Sequence, residues 1–254
     1  MPLPADAGPG DPWQPCRMRR RLLDRLHLRA EVDSVRMLTP RMRLIALTGP
    51  ELRELAWSPG QHVQVQVGAR SGPADHLIGL RRAYSVWDYD GRTLQLCVLD
   101  HGGAPGADWA RGVAAGDAVL LTRPQGRFTL RPDATAHLFV GEETAAVAFG
   151  PMLRAVPSGS GVHAVLEVAE PADRLPLPDG VSWRYRHGAD AAGSATLLQA
   201  VRELDLPASG AVAYLAGELR AIQALRTHLL KDRGWGRRAI LTKPFWTPGR
   251  TGLE

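Results

Sequence analysis

Near residue 131 the hydrophobic pattern of the chain changes period, and this change limits the possible folds more than any other feature. Upstream, "HVQVQV" at 62–67 and "TLQLCVL" at 93–99 alternate so that every second side chain shares a face. A third run of strand length, "DAVLLT", occupies 117–122, and Pro59-Gly60, Gly72-Pro73, Gly91, Gly116 and Pro124 punctuate the series. Short strands with frequent turns predict an antiparallel β-barrel. Downstream, strand-like and helix-like stretches take turns. "AHLFVG" at 136–141 precedes a helical stretch from Thr144 towards Val156, and "GVHAVLEVAE" at 161–170 and "VSWRYRHG" at 181–188 follow. Then come a helix over 194–204, the strand "GAVAYLAG" at 210–217, a helix over 218–234 and "RRAILTKPFW" at 237–246. That alternation predicts a parallel sheet wound with helices.

The expected fold class is thus an antiparallel β-barrel followed by a parallel-sheet α/β domain, and 254 residues suit two domains. The boundary is placed at "LRPDATA", 130–136, giving a barrel domain over 19–132 and an α/β domain over 133–254. Residues 1–18, rich in Pro, Gly and Asp, read as a disordered leader. No apolar run approaches a membrane span of about 18 residues and no apolar signal core opens the chain, so a cytoplasmic protein is expected. Cys16 and Cys97 form no CxxC, which excludes a cysteine-built zinc or iron–sulfur centre. Any redox group must be held differently. A net charge of +5 without a basic-aromatic repeat suits an anionic small molecule rather than nucleic acid.

In open parallel sheets ligands bind at the carboxyl ends of strands, which directs attention to the loops after Gly141 and Gly217; neither carries GxGxxG. In the barrel half, "RRAYSVW" sets Arg82, Tyr84 and Ser85 within one strand. An arginine grips phosphate in a bidentate manner, a tyrosine offers a flat face and a hydroxyl, and a serine a short donor. Together they suit a dinucleotide with a planar ring; alone they read equally as a strand with a surface ion pair. Downstream, "DHGGAPGADWARG" at 100–112 leads a glycine-rich turn into a short helix. The backbone N–H groups near Gly106 to Asp108 would face a pyrophosphate.

The succession "RAYSVW", "DHGGAPGADWA", "GD", "P-x-G-x-F", "GEETAAVA" and "YLAGE" resembles the siderophore-interacting protein family, a branch of the ferredoxin-reductase-like flavoproteins, over roughly residues 20 to 247. The resemblance implies an FAD-binding barrel joined to an NAD(P)H-binding α/β domain, and an enzyme that reduces a ferric siderophore with NADPH or NADH. It implies that Arg82 contacts the FAD pyrophosphate, that Tyr84 lies along the flavin, and that Ser85 and Thr144 stand at the reacting ring. His101 would neighbour the adenosine and ribityl part, Gly106 and Ala107 would donate to the pyrophosphate, and Gly217 and Glu218 would border the nicotinamide dinucleotide. Lys243 would meet an anionic substrate such as a ferric siderophore. Three positions depart from the family pattern: Ala107 stands in place of a serine with Asp108 beside it, "GEETAAVA" lacks a proline, and "KPFW" replaces a terminal "GYW".

Several of these residues have structural alternatives. Thr144 suits a helix N-cap, Glu142, Glu143 and Glu218 suit helix starts, His101 an ordinary turn, Trp109 core packing and Lys243 an exposed position. Two functional alternatives stay open. One is a flavoprotein with another electron acceptor, such as a flavodoxin, a ferredoxin or a specialised-metabolite intermediate; the other is a non-redox binding protein or a non-oxidative catalyst on the same scaffold.

Overall fold

The computed structural model describes residues 27–67, 80–207 and 209–250; the expected leader and Cys16 lie outside them. Six strands close an antiparallel barrel: β1 (Leu28–Thr39), β2 (Met42–Thr48), β3 (His62–Gln66), β4 (Arg81–Tyr89), β5 (Leu94–Leu99) and β6 (Ala118–Leu121). Their order is β1-β2-β5-β4-β3-β6, and β6 returns to β1 through Leu28 opposite Leu121. Closure leaves no unpaired strand edge. Alternation sends Val63, Val65, Leu94, Leu96 and Leu121 into one interior, each essentially inaccessible to water. Helix α1 (Pro105–Gly112) lies against one end, with Ala110 and Trp109 packed on that core.

Five parallel strands follow: β7 (Ala136–Glu142), β8 (Gly161–Val168), β9 (Val181–Tyr185), β10 (Ala211–Glu218) and β11 (Ile240–Trp246), in the order β11-β10-β7-β8-β9. β7 and β10 are buried along their whole length, as central parallel strands covered on both faces must be. Helices α3 (Ala195–Arg202) and α4 (Leu219–Lys231) cover one face through Leu138, Val140, Leu197, Ile222 and Leu225. Helix α2 (Glu143–Arg154) covers the other.

The second face is also where the two halves meet. Met42, Leu44, Trp87, Cys97 and Phe128 from the barrel side share one cluster with Phe139, Phe149, Met152 and Tyr214. Trp87 lies against Gly150 of α2, and Arg154 stacks its guanidinium over the indole while donating to the Trp87 carbonyl at 2.6 Å. Arg41, in the β1–β2 turn, adds an ion pair to Glu143 at 3.4 Å. The expected elements are all present. Ends move by a few residues, as where the last strand begins at Ile240 behind a short 3-10 turn over Arg237–Ala239. Among the described residues no helix is long and apolar enough to cross a membrane.

Candidate functional site

Strand β4 carries the first group of residues. A bulge between Val86 and Asp88 follows them, and upstream of it the alternation holds: Tyr84 joins the barrel interior while Ser85, buried, looks the other way. Tyr84 does two jobs at once. Its ring packs on Trp109 with centroids 5.5 Å apart, and its hydroxyl donates to the Gly106 carbonyl at 3.1 Å. Burial pushes the phenol well above its ordinary pKa, with the Arg82 charge opposing, so Tyr84 stays a neutral donor.

This contact locks α1 to β4. A Cβ on Gly106 would stand 2.6 Å from Tyr84 Oη and 3.3 Å from Arg82 Cγ, so only glycine lets the helix start come this close. Arg82 and the first turn of α1 are therefore neighbours. That turn has no side-chain cap: Ala104 occupies the N-cap without a side-chain hydrogen bond, Pro105 has no N–H to offer, and Gly106 and Ala107 are buried. Asp108, which a sequence reading sets against a bound anion, is paired with Arg111, which also holds Asp100.

The other long helices begin differently. Glu142 caps α2 by accepting from the Thr144 N–H at 2.8 Å, Ser194 caps α3 by accepting from the Leu197 N–H at 3.3 Å, and Glu218 caps α4 by accepting from the Ala221 N–H at 3.0 Å. Thr144 is thus not the cap of its helix. The preceding glutamate reaches the orphan N–H first, and the threonine hydroxyl donates to the same carboxyl. Glu218 also accepts from the Gly193 N–H and the Thr247 hydroxyl. Burial would raise its pKa, yet these backbone donors hold it below the ordinary carboxylate value.

The carboxyl edge of the parallel sheet is accordingly rich in buried acids. Glu142, Glu143, Glu167 and Glu218 are all nearly inaccessible. Arg186 bridges two of them, Glu143 at 2.5 Å and Glu167 at 3.4 Å. Gly217 belongs to this network: with φ near +115°, it presents a bare Cα to Glu142, whose carboxyl crosses it to reach Trp246 Nε1 at 3.1 Å. The space beside Gly217 is filled by protein.

Two further residues stand where the barrel approaches the last strand of the sheet. His62 stands opposite Ser85 in the β3–β4 register and packs against Gly126 of the "PQGRF" turn. Burial, then the nearby Lys243 ammonium, lowers its imidazole to about 4, so it is neutral at physiological pH. The structure thereby brings Ser85, His62 and Lys243, from three strands, into one neighbourhood. His62 and Glu142 were absent from the sequence-based set; the polar start of "HVQVQV" and the first Glu of "GEET" were the available signals. His101 is exposed on the turn before α1. Among the described residues no group of His, Cys, Asp or Glu could hold a metal ion.

The chain is similar to known proteins in sequence and in fold. Residues 134–249 match the family model described as siderophore-interacting protein. An uncharacterized protein of Mycobacterium tuberculosis is 32% identical over 179 residues, 65% of this chain and 63% of that protein, so the match spans less than two thirds of the relative. The mycobactin import ATP-binding/permease protein IrtA of Mycolicibacterium smegmatis is 25% identical over 87% of this chain but only 26% of its own length. A siderophore utilization protein from T. fusca superposes with a TM-score of 0.78 at 26% identity, covering 90% of this chain and 95% of that one. The flavohem-like FAD/NAD binding domain of a Vibrio cholerae nitric oxide dioxygenase shares the fold, with a TM-score of 0.69 at 20% identity over 87% of this chain and 98% of that domain. The chain therefore resembles the siderophore-interacting proteins and has the two-part architecture of FAD/NAD-binding reductases.

Proposed function

We propose that this chain is an FAD-dependent oxidoreductase that reduces a ferric siderophore and so releases its iron. One observation carries the reading. Of the four α-helices among the described residues, α1 alone starts without a side-chain cap, and it starts beside Arg82 and Tyr84. An uncapped helix N-terminus next to a guanidinium suits a pyrophosphate, since N–H dipoles and a bidentate cation act on the same anion. The residues present therefore fit FAD. Arg82, with the Gly106 and Ala107 N–H groups, would hold the pyrophosphate; Tyr84 fixes the distance between them; Ser85 would meet the ring, with Thr144 facing it from the α/β half. FAD, when bound, supplies hydride acceptance and single-electron transfer.

The rest is the work of this chain. The shared hydrophobic cluster and the Arg41–Glu143 pair hold the two halves together, and the cleft this reading requires would lie between them. Lys243 would bring positive charge to that cleft and attract an anionic ferric chelate, with His62 near it neutral. Ferrous iron binds hard oxygen chelators weakly, so release follows reduction without a protein ligand to the metal.

NADPH or NADH is the reductant this reading names, bordering Gly217 and Glu218, and the similarity to siderophore-utilization and siderophore-interacting proteins supports its substrate class. The fit at that edge is partial: both helix N-termini there are filled by Glu142 and Glu218, so a dinucleotide pyrophosphate meets no open helix start. This favours, as a second reading, electrons arriving from a carrier protein. The visible spectrum of the purified protein distinguishes them. Flavin bands that bleach with NADPH or NADH under anaerobic conditions and recover with a ferric catecholate or hydroxamate support the first. Bleaching only by a reduced ferredoxin or flavodoxin supports the second. Failure to take up flavin after reconstitution refutes both.

A further inference from the structure

Glu142 is the buried titratable group that the reading above leaves unused, and its surroundings are unusually specific. Between Ala136 and Met152 every residue is buried except Thr144. Thr144 is thus the one partly exposed residue of this segment, and its hydroxyl is joined to the Glu142 carboxyl. One carboxyl oxygen, Oε2, accepts from the Thr144 backbone N–H at 2.8 Å. The other, Oε1, accepts from the Thr144 hydroxyl and from Trp246 Nε1 at 3.1 Å. To reach Trp246 the carboxyl crosses β10 at Gly217, where any Cβ would stand less than 3.0 Å from Oε1. The β10–β11 register also slips there: Gly217 pairs with Pro244, but Glu218 pairs with Trp246 rather than with Phe245, and the indole N–H reaches Glu142.

Hydrogen-bond direction decides what this unit shows to the cleft. An ionised carboxylate only accepts, so the Thr144 proton points inward and Oγ1 offers lone pairs outward. A protonated carboxyl donates to Oγ1, the Thr144 proton turns outward, and Oε1 retains a lone pair for Trp246. We propose that Glu142 is a positioning residue that, by its protonation, sets whether Thr144 presents an acceptor or a donor to a ligand in the cleft, while tying Trp246 to the same edge. Protonation is accessible near neutrality: burial first, then the neighbouring Glu143, raises the carboxyl to about 7 against the opposing bonds from Thr144 and Trp246. The charged groups around it are Glu143 on α2, Glu167 opposite it on β8, Arg186 after β9, Glu218 on β10 and Lys243 on β11. Glu143 is ion-paired with Arg186, and Glu142 is the acid of this edge bonded to the partly exposed Thr144 hydroxyl.

The identity of the ligand rests on the reductase reading; the hydrogen-bonded unit does not. The test is infrared difference spectroscopy of the full chain without nucleotide or chelator, titrated from about pH 5 to about pH 9, the span in which a buried carboxyl of this kind changes charge. A protonated-carboxyl band should vanish with a midpoint within about one unit of the value above and be missing in Glu142→Gln. Thr144→Val removes one donor to the carboxylate and should raise the midpoint by about one unit or more, Trp246→Phe should do likewise, and Thr144→Ser should restore it. The two donor variants keep Glu142, so they carry the test even if Glu142→Gln does not fold. A wild-type band that persists in Glu142→Gln, or a midpoint indifferent to Thr144→Val, overturns the proposal. A protein that shows the full titration pattern yet never reduces a ferric chelate refutes the reductase reading and leaves this inference standing.

Discussion

Replacing Gly217 by alanine separates a packing role from a cofactor role at a position the family resemblance assigns to the nicotinamide dinucleotide. The backbone there has φ near +115°, which a residue with a Cβ tolerates at a cost of roughly 1–3 kcal/mol. The new methyl would also overlap Glu142 Oε1, forcing the carboxyl off Trp246 and the Thr144 hydroxyl, and overpacking of this kind costs roughly 1–3 kcal/mol more. The sum, about 2–6 kcal/mol, is a large part of the roughly 5–15 kcal/mol that stabilises a typical protein. At roughly 2–4 °C per kcal/mol, the thermal midpoint should fall by about 5–20 °C. Gly91→Ala is the control: its φ is +93°, with nothing within 4 Å of the added Cβ, so it carries the backbone cost alone. Thermal unfolding of both variants, and of Gly217→Ala placed in a Glu142→Ala background, forms a double-mutant cycle. The excess cost of Gly217→Ala over Gly91→Ala should disappear once the carboxyl is gone. Equal costs for the two glycines, or an excess that survives loss of Glu142, would refute the packing account.

Arg82→Ala removes a charge-assisted contact and should weaken FAD binding about 10- to 100-fold in a flavin-fluorescence titration, with little change in thermal midpoint. Gly106→Ala should weaken FAD comparably by pushing α1 off Tyr84, and here the midpoint should fall as well. At the junction of the two halves, Gly150→Ala drives a methyl into the Trp87 ring and should cost about 1–3 kcal/mol in chemical denaturation. The contribution of Glu142 to stability should decline as pH rises through the window from 4.5 to about 7, because its folded carboxyl keeps a proton that the unfolded chain has released. The decline amounts to at most about 3 kcal/mol. Glu167, also raised by burial, adds to it; His62 and His137, both lowered by burial, act in the opposite sense over that span, and the depressed Glu218 does so only below 4.5. The stability difference between wild type and Glu142→Gln, measured by denaturation across that window, should therefore carry the Glu142 slope; a difference independent of pH would reassign the effect.

Much of the candidate site could be read from local pattern because its parts are backbone features. The glycine-rich entry to α1, the Arg-x-Tyr-Ser strand and the strand–helix junctions after Gly141 and Gly217 all announce themselves by residue type at a fixed spacing. His62 and Glu142 were not legible in the same way. A histidine opening an alternating strand and an acid ahead of a helix are ordinary locally; only the partners that fold against them, Lys243 for one and Trp246 for the other, alter what they do. Thr144 shows the limit most clearly. Its residue type suits an N-cap, yet the capping oxygen comes from Glu142, because the end of a buried strand delivers that carboxylate directly onto the helix start.

The sequence by itself determined the architecture, since the switch from period two to alternating strands and helices is a property of consecutive residues and admits few ways of burying both patterns. It also determined which segments could meet a phosphate. Tertiary structure alone decided which of those helix starts remain open. Cys97, Trp87 and Phe128 had to meet Phe139 and Phe149 before both halves could face one cleft. Glu142 had to cross a bare Gly217 before its charge was committed to protein, and Tyr84 had to reach Gly106 before α1 stood beside Arg82. The reason is physical: hydrogen-bonding capacity belongs to a residue, but whether it is already spent depends on what burial places within about 3 Å of it.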